Sequence, residues 1–158
     1  MSNRIQPERP LQQEWRRLFV KQICDAVSCI SHRRDVTARV SEGRKHVKKA
    51  RAILQLARPI LGTDYDKADA ALRIVNRALG PLADACHVTE TLQAVTTLPF
   101  VNLPLSALTA TRVRLAAHRS AVEARATRDG VRARVVRLLD SIRRAAVSWD
   151  LSAIDRDL

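Results

Sequence analysis

Apolar residues return every three or four positions along most of this chain, the spacing that gathers side chains on one face of an α-helix. Trp15, Phe19, Ile23, Ala26 and Ile30 make the first stripe and predict a helix from about Leu11 to Ser31. Asp35 or Thr37 can cap a second helix. There Val40, Gly43, Val47, Ala50, Leu54, Ala57 and Leu61 keep the spacing until Pro59 to Gly62 weakens it. Small residues at three of these positions, Gly43, Ala50 and Ala57, leave room for a neighbouring helix to approach closely. Thr63 with Asp66 three residues on has the form of a capping box. The third stripe is Ala68, Leu72, Val75, Leu79, Leu82 and Cys86. It passes Gly80-Pro81 without losing phase, which predicts one kinked helix reaching about Val95 rather than two helices.

The segment TTLPFVNLP is a connecting loop with Asn102 as a cap, and a fourth helix is expected from about Leu105 to Arg125. Asp129-Gly130 interrupts it. A last segment reaches about Trp149, with Val131, Val135, Leu138, Ile142 and Trp149 on one face. No stretch alternates apolar and polar residues, so no sheet is expected. The expected fold is all-α: an antiparallel four-helix bundle with kinked or interrupted long helices. Residues 1–10 are expected to form a flexible N-terminal segment, residues 11–150 the bundle, and residues 151–158 an acidic, loosely ordered tail.

Composition changes this picture in one respect. The 158 residues suit a single core, and four glycines and six prolines suit helices. No run of eighteen apolar residues occurs, so no membrane span is expected. The first ten residues lack the apolar core of a secretory signal, which points to the cytoplasm. The charge is what stands out: 28 Lys and Arg against 16 acids, a net +12. Such a field concentrates anions without choosing among nucleic acid, an anionic membrane and polyphosphate. Only Lys21, Lys45, Lys48, Lys49 and Lys67 are lysines. The arginine bias suits phosphate oxygens, which a guanidinium binds in pairs, although a biased codon composition yields the same excess.

Three cysteines make no disulfide framework. Cys24, Cys29 and His32 have a C-x4-C-x2-H spacing, but residues five apart on a helix diverge and no fourth ligand is evident, so no metal is expected and the cysteines read as buried or neutral. The four histidines are scattered. No P-loop, nucleophile elbow or other catalytic motif occurs, so neither an enzyme nor a cofactor is expected.

The basic residues fall into an order of their own. SEGRKHVKKARA, residues 41–52, carries six of them. Ser41, Arg44, Lys48, Arg51, Gln55 and Arg58 form a stripe beside the apolar seam, with Lys45 and Lys49 next to it. Like charges three or four apart destabilise a helix by about 0.2–0.5 kcal/mol per pair, and only Glu42 is near enough in sequence to relieve them. A stripe of one sign is better suited to an anion than to water. Arg73 and Arg77 lie four apart on the third helix, Arg112 and Arg119 seven apart on the fourth. Arg132, Arg134, Arg137, Arg143 and Arg144 on the last read as a solvated exterior.

These motifs resemble the conserved histidine α-helical domain, or CHAD, family. SEGRKHVKKARAILQLARPIL is similar to its signature helix, with Val40, Arg44, Lys48, Lys49, Arg51 and Ala52 in matching places. AALRIVNRALGPLADACHVTETLQAV is similar to its third helix through Arg73, Arg77, Gly80, Pro81 and Asp84, and LLDSIRRAAVSWDL to the segment that closes its first bundle. The resemblance, from about Trp15 to Asp150, implies an all-helical fold, non-enzymatic binding of inorganic polyphosphate, and residence at polyphosphate granules. The expected contacts are Arg44, Lys45, Lys48, Lys49, Arg51, Arg58, Arg73, Arg77, Arg112 and Arg119. Ser41 stands where the family histidine would, Ala83 where an arginine usually precedes the aspartate, and His46 is five residues off the stripe. The family has two bundles and only the first is matched, so a homodimer is one way to complete a shared groove. The competing readings are nucleic-acid backbone binding by the same surface and a remnant that binds anions weakly. Aromatic residues are only 3% of the chain, too few for the stacking platforms of single-strand binders.

Overall fold

The apolar stripes become helices close to where their spacing puts them. The computed structural model describes residues 9–32, 36–98 and 104–155. Among these, α1 runs Leu11–Ser31, α2 Val36–Leu56, α3 Arg58–Leu61, α4 Thr63–Thr96, α5 Leu105–Arg128 and α6 Val131–Ser148, followed by a 3-10 turn at Ser152–Asp155. No strand occurs among the described residues. α4 continues through Pro81 as a single helix, so the unbroken phase of its stripe had the expected meaning.

The helix ends differ from expectation in one place. Thr63 lies inside α4, whose N-cap is Gly62 in a left-handed conformation (φ 48°), and no side chain caps it. Pro59 in the first turn of α3 and Gly62 after it make the reversal between α2 and α4, a geometry only glycine adopts without strain. The candidate caps Asp35 and Asn102, and the side chain of Thr37, lie outside the described residues. At the C-terminus of α1 the closing group comes from far away. Arg132 of α6 donates to the carbonyl oxygens of Ile30, at 2.8 Å, and His32.

Four helices close a ring in which α1 packs on α2, α2 on α4, α4 on α6, and α6 back on α1. Neighbours run antiparallel. Trp149, after α6, meets Trp15 at the start of α1, while Arg132 at the start of α6 meets the end of α1. The stripes of α1, α2 and α4 line the interior, every residue of each being buried. A fully buried Leu, Ile or Phe contributes about 1.5–3 kcal/mol. Gly43 permits the close approach of α2 to α1, since a Cβ there would lie 2.8 Å from Cγ1 of Ile30.

Three expectations are corrected. The fourth member of the bundle is α6 rather than α5. None of the residues of α5 is buried, and this helix packs chiefly on α4. At 34 residues α4 is about 51 Å long, against about 31 Å for the 21-residue α1 and α2. Its last buried residue is Cys86, so its final turns and α5 form a hairpin that projects from the bundle. On α6 the buried residue is Leu139, with Leu138 only half-buried. The tail, through Ile154, belongs to the core: Leu151 and Ile154 are buried beside the Trp15–Phe19–Trp149 cluster, whose rings lie 5.2–6.1 Å apart.

Candidate anion-binding site

On α2 the apolar seam points inward and the basic residues beside it run along the boundary with α4. Arg44 lies 3.3 Å from Asp84, and Arg51 donates its Nε–H to Oδ1 of Asp69 at 2.8 Å. Arg73 donates its Nε–H to Oδ2 of the same carboxylate at 2.7 Å. These pairs fix an antiparallel register in which Lys48, one turn from Arg44 and one from Arg51, lies opposite the stretch of α4 between Asp69 and Asp84. Arg77 follows Arg73 by one turn on α4. Arg44, Arg51 and Arg73 therefore border one seam with two carboxylates, and Lys48 and Arg77 follow by helical spacing.

The single-sign stripe expected from sequence is thus relieved in part, and not by Glu42, which pairs with exposed Lys45 at 3.2 Å. The relief comes from Asp69 and Asp84, 18 and 40 residues from their α2 partners. Lys48, Lys49 and Arg77 form no ion pair among the described residues. Asp69 is 7% exposed. Burial alone pushes its carboxyl up, but the hydrogen bonds and charges of Arg51 and Arg73 outweigh this and hold it below the usual aspartate value. The buried Nε of Arg44 and Oδ1 of Asn76 have no hydrogen-bond partner among the described residues.

The other expected contacts are dispersed. Lys45 and Lys49 are exposed on the outer side of α2. Arg58, in α3, stacks over Tyr65 with its guanidinium carbon 5.5 Å from the ring centroid. Arg112 and Arg119 line a separate cleft of about 400 Å³ between α4 and α5 with Thr89, Leu92, Gln93 and Leu115, where Arg119 also pairs with Glu123 at 3.1 Å. Ser41 is half-buried, and His46 points away from the seam toward α1, its Nδ1 lying 2.9 Å from Oε1 of Gln22. Asp69 escaped the sequence reading, although a lone acid between Ala68 and Leu72 and one turn from Arg73 is the signal that would have found it.

No group of three or more His, Cys, Asp or Glu that could hold a metal occurs among the described residues. Cys24 is exposed; Cys29 is half-buried, and burial raises its thiol above the ordinary value. Cys86 is buried and donates to Glu90 at 3.2 Å. No described helix is long and apolar enough to cross a membrane.

A family model for the CHAD domain matches residues 17–156, nearly the whole chain. The chain belongs to the CHAD family. No curated protein and no solved structure matches it. CHAD domains are in general associated with polyphosphate binding, and they are generally binding rather than catalytic domains. In this CHAD domain two of the three segments that carried the resemblance, the basic helix and the Arg-Gly-Pro-Asp helix, lie mainly in α2 and α4, which pack side by side and border the seam described above.

Proposed function

We propose that this CHAD domain binds inorganic polyphosphate without turning it over, along the seam between α2 and α4. The observation that carries the reading is the pairing of Arg44 and Arg51 of α2 and Arg73 of α4 with Asp84 and Asp69 at one boundary, with Lys48 and Arg77 one turn along the same two helices. Asp69 and Asp84 face them, which leaves three positive charges in excess. A polyphosphate chain, with about one charge per phosphate, runs along such a row, and Lys45 and Lys49 lend it their longer-range field. Arg58, Arg112 and Arg119 contribute only if the chain extends beyond the seam, toward α3 or into the α4–α5 cleft.

Isothermal titration with long-chain polyphosphate at several salt concentrations tests this. Neutralising five phosphates gives a log–log slope of about −3.5, taking about −0.7 per phosphate as for single-stranded nucleic acid. Replacing Arg44, Lys48 and Arg51 together by Ala reduces the slope by about 2 and cuts affinity sharply. Unchanged binding in that variant sinks the proposal, and no binding by the unaltered chain at low salt favours the weak-binding remnant. A measurable rate of phosphate release would replace a binding role with an enzymatic one.

Nucleic acid is the competitor polyanion. Both tryptophans are buried in the core and the ring of Tyr65 is engaged by Arg58, so bases find no aromatic platform there and only backbone contact is open to them. Competition between polyphosphate and DNA at fixed salt separates the two. A homodimer that completes a shared groove belongs to the same proposal, and a solution mass measurement reads whether a dimer forms. Residence at polyphosphate granules in the cytoplasm follows from the same proposal, and imaging of the tagged chain tests it.

A further inference from the structure

Among the charges on the seam, Asp69 has the wrong sign for an anion site, and it is also the most deeply placed. Its side chain is 10% exposed, whereas that of Asp84 on the same helix is 70% exposed. Each of its oxygens accepts from a different arginine, and in both cases from Nε: Arg51 on α2 and Arg73 on α4. A guanidinium carries five N–H groups. With Nε turned inward to the carboxylate, the four Nη protons of each arginine remain, and none of them has a hydrogen-bond partner among the described residues. The side chain of Arg73 is 63% exposed and that of Arg51 33%, so these outward edges are within reach of a ligand.

We propose that Asp69 is a positioning residue that holds Arg51 and Arg73 as a preformed pair of guanidinium forks for adjacent phosphate groups. This rests on the polyphosphate reading of the seam. A buried carboxylate is strongly disfavoured without its partners, so it keeps both arginines in place when no ligand is present. Long, rotamer-rich side chains otherwise lose their freedom on binding, and ordering two of them in advance strengthens binding about fivefold or more. Nε anchoring also decides which edge is presented. The Nη1–Nη2 edge matches two oxygens of one phosphate, so each arginine takes one phosphate and the pair grips two along the chain.

The proposal makes a prediction opposite in sign to simple electrostatics. Asp69→Asn removes a negative charge beside an anion site, and charge alone would then tighten binding by up to about threefold for groups about 6 Å apart in a water-like dielectric. Loss of positioning weakens it by about fivefold or more, which outweighs the charge effect and leaves a net weakening of about twofold or more; it also lowers the salt slope because the two arginines no longer neutralise phosphates reliably. Asp84→Asn is the charge-matched control, since it removes an exposed carboxylate with one long contact; its binding should become tighter, through charge alone. In an Arg51→Ala/Arg73→Ala background, Asp69→Asn should no longer weaken polyphosphate binding, and only the charge effect, a tightening of up to about threefold, remains.

Titrations with long-chain polyphosphate on folded variants, checked by circular dichroism, read all of this. Equal or tighter binding by Asp69→Asn overturns the inference while leaving the polyphosphate reading intact, whereas no binding by the unaltered chain overturns that reading itself. NMR of the arginine Nε–H groups on the unaltered protein provides a test that survives if Asp69→Asn does not fold. The Arg51 and Arg73 signals should be protected from exchange in the free protein and remain so when polyphosphate is added. Rapid exchange in the free protein, at the rate of a solvent-exposed arginine, overturns the proposal.

Discussion

Gly43→Ala sets two effects of opposite sign against each other where α2 crosses α1. Alanine in a helix interior is favoured over glycine by about 1 kcal/mol. Its methyl carbon, however, would lie 2.8 Å from Cγ1 and 3.3 Å from Cδ1 of Ile30. Cγ1 is fixed next to the backbone of a fully buried residue, so it cannot swing aside as a side-chain tip would. Overpacking of this kind costs about 1–3 kcal/mol. The balance is a net loss of about 1 kcal/mol, or about 2–4 °C in Tm for a domain of this size. Ile30→Ala removes the obstructing atoms at its own cost of about 2–5 kcal/mol. In that background only the helix preference remains, so Gly43→Ala should stabilise by about 1 kcal/mol. Urea unfolding followed by far-ultraviolet circular dichroism, on the four proteins of this cycle, gives the sign in each background. The same sign in both backgrounds would refute the claim that contact with Ile30 is why glycine occupies this position.

Two further outcomes are expected. Asp69 has a lowered carboxyl pKa in the folded chain, so its stabilising effect is complete above the unfolded value near 3.8 and is lost as the pH falls through the lower folded value; urea unfolding from pH 7 to pH 2 should show a steeper acid loss in the unaltered chain than in Asp69→Asn. Leu151→Ala removes a side chain only 1% exposed and should cost about 2–5 kcal/mol by the same assay, whereas a loosely ordered tail would give a change within about 0.5 kcal/mol.

The helices of the bundle were legible because three of its four stripes leave no choice. Trp15 to Ile30, Val40 to Leu61 and Ala68 to Cys86 each offer one continuous apolar row, and each row is buried. On α6 two rows are equally well spaced. Val135, Ile142 and Trp149 belong to both, and either Leu138 or Leu139 completes the pattern; only the positions of α1 and α4 on either side select Leu139. Membership of the ring is a tertiary fact for the same reason. α5 has the composition of a helix, yet α6, following it in the same direction along α4, takes the place beside α1. The tail concealed itself among acids. Asp150 and Asp155 suggested solvent, while Leu151 and Ile154, three apart, carried the apolar signal.

The site was legible on one side. The basic residues of α2 and their spacing were visible, as were Arg73 and Arg77, and the family resemblance marked Asp84. What spacing could not give is the pairing across helices. Arg44 meets an acid 40 residues away and Arg51 one 18 residues away, so a stripe that looks uncompensated along α2 is partly compensated by α4. The same limitation kept Arg112 and Arg119 in one group with the stripe, although the projection of the α4–α5 hairpin gives them a cleft of their own.

The ring closes between its first and last helices, and that order has a consequence for synthesis. α1 carries Trp15 and Phe19, and their partners Trp149, Leu151 and Ile154 emerge more than 120 residues later. While the ribosome works through the intervening helices, α1 and α2 can pair, but one apolar side of that pair remains bare. The nascent chain therefore exposes a sticky aromatic surface for most of its elongation, at about 5–20 residues per second. Any product released before residue 154 lacks the piece that seals this surface. Such fragments would be substrates for chaperones and proteases, so quality control of this fold falls on the short segment from Trp149 to Ile154.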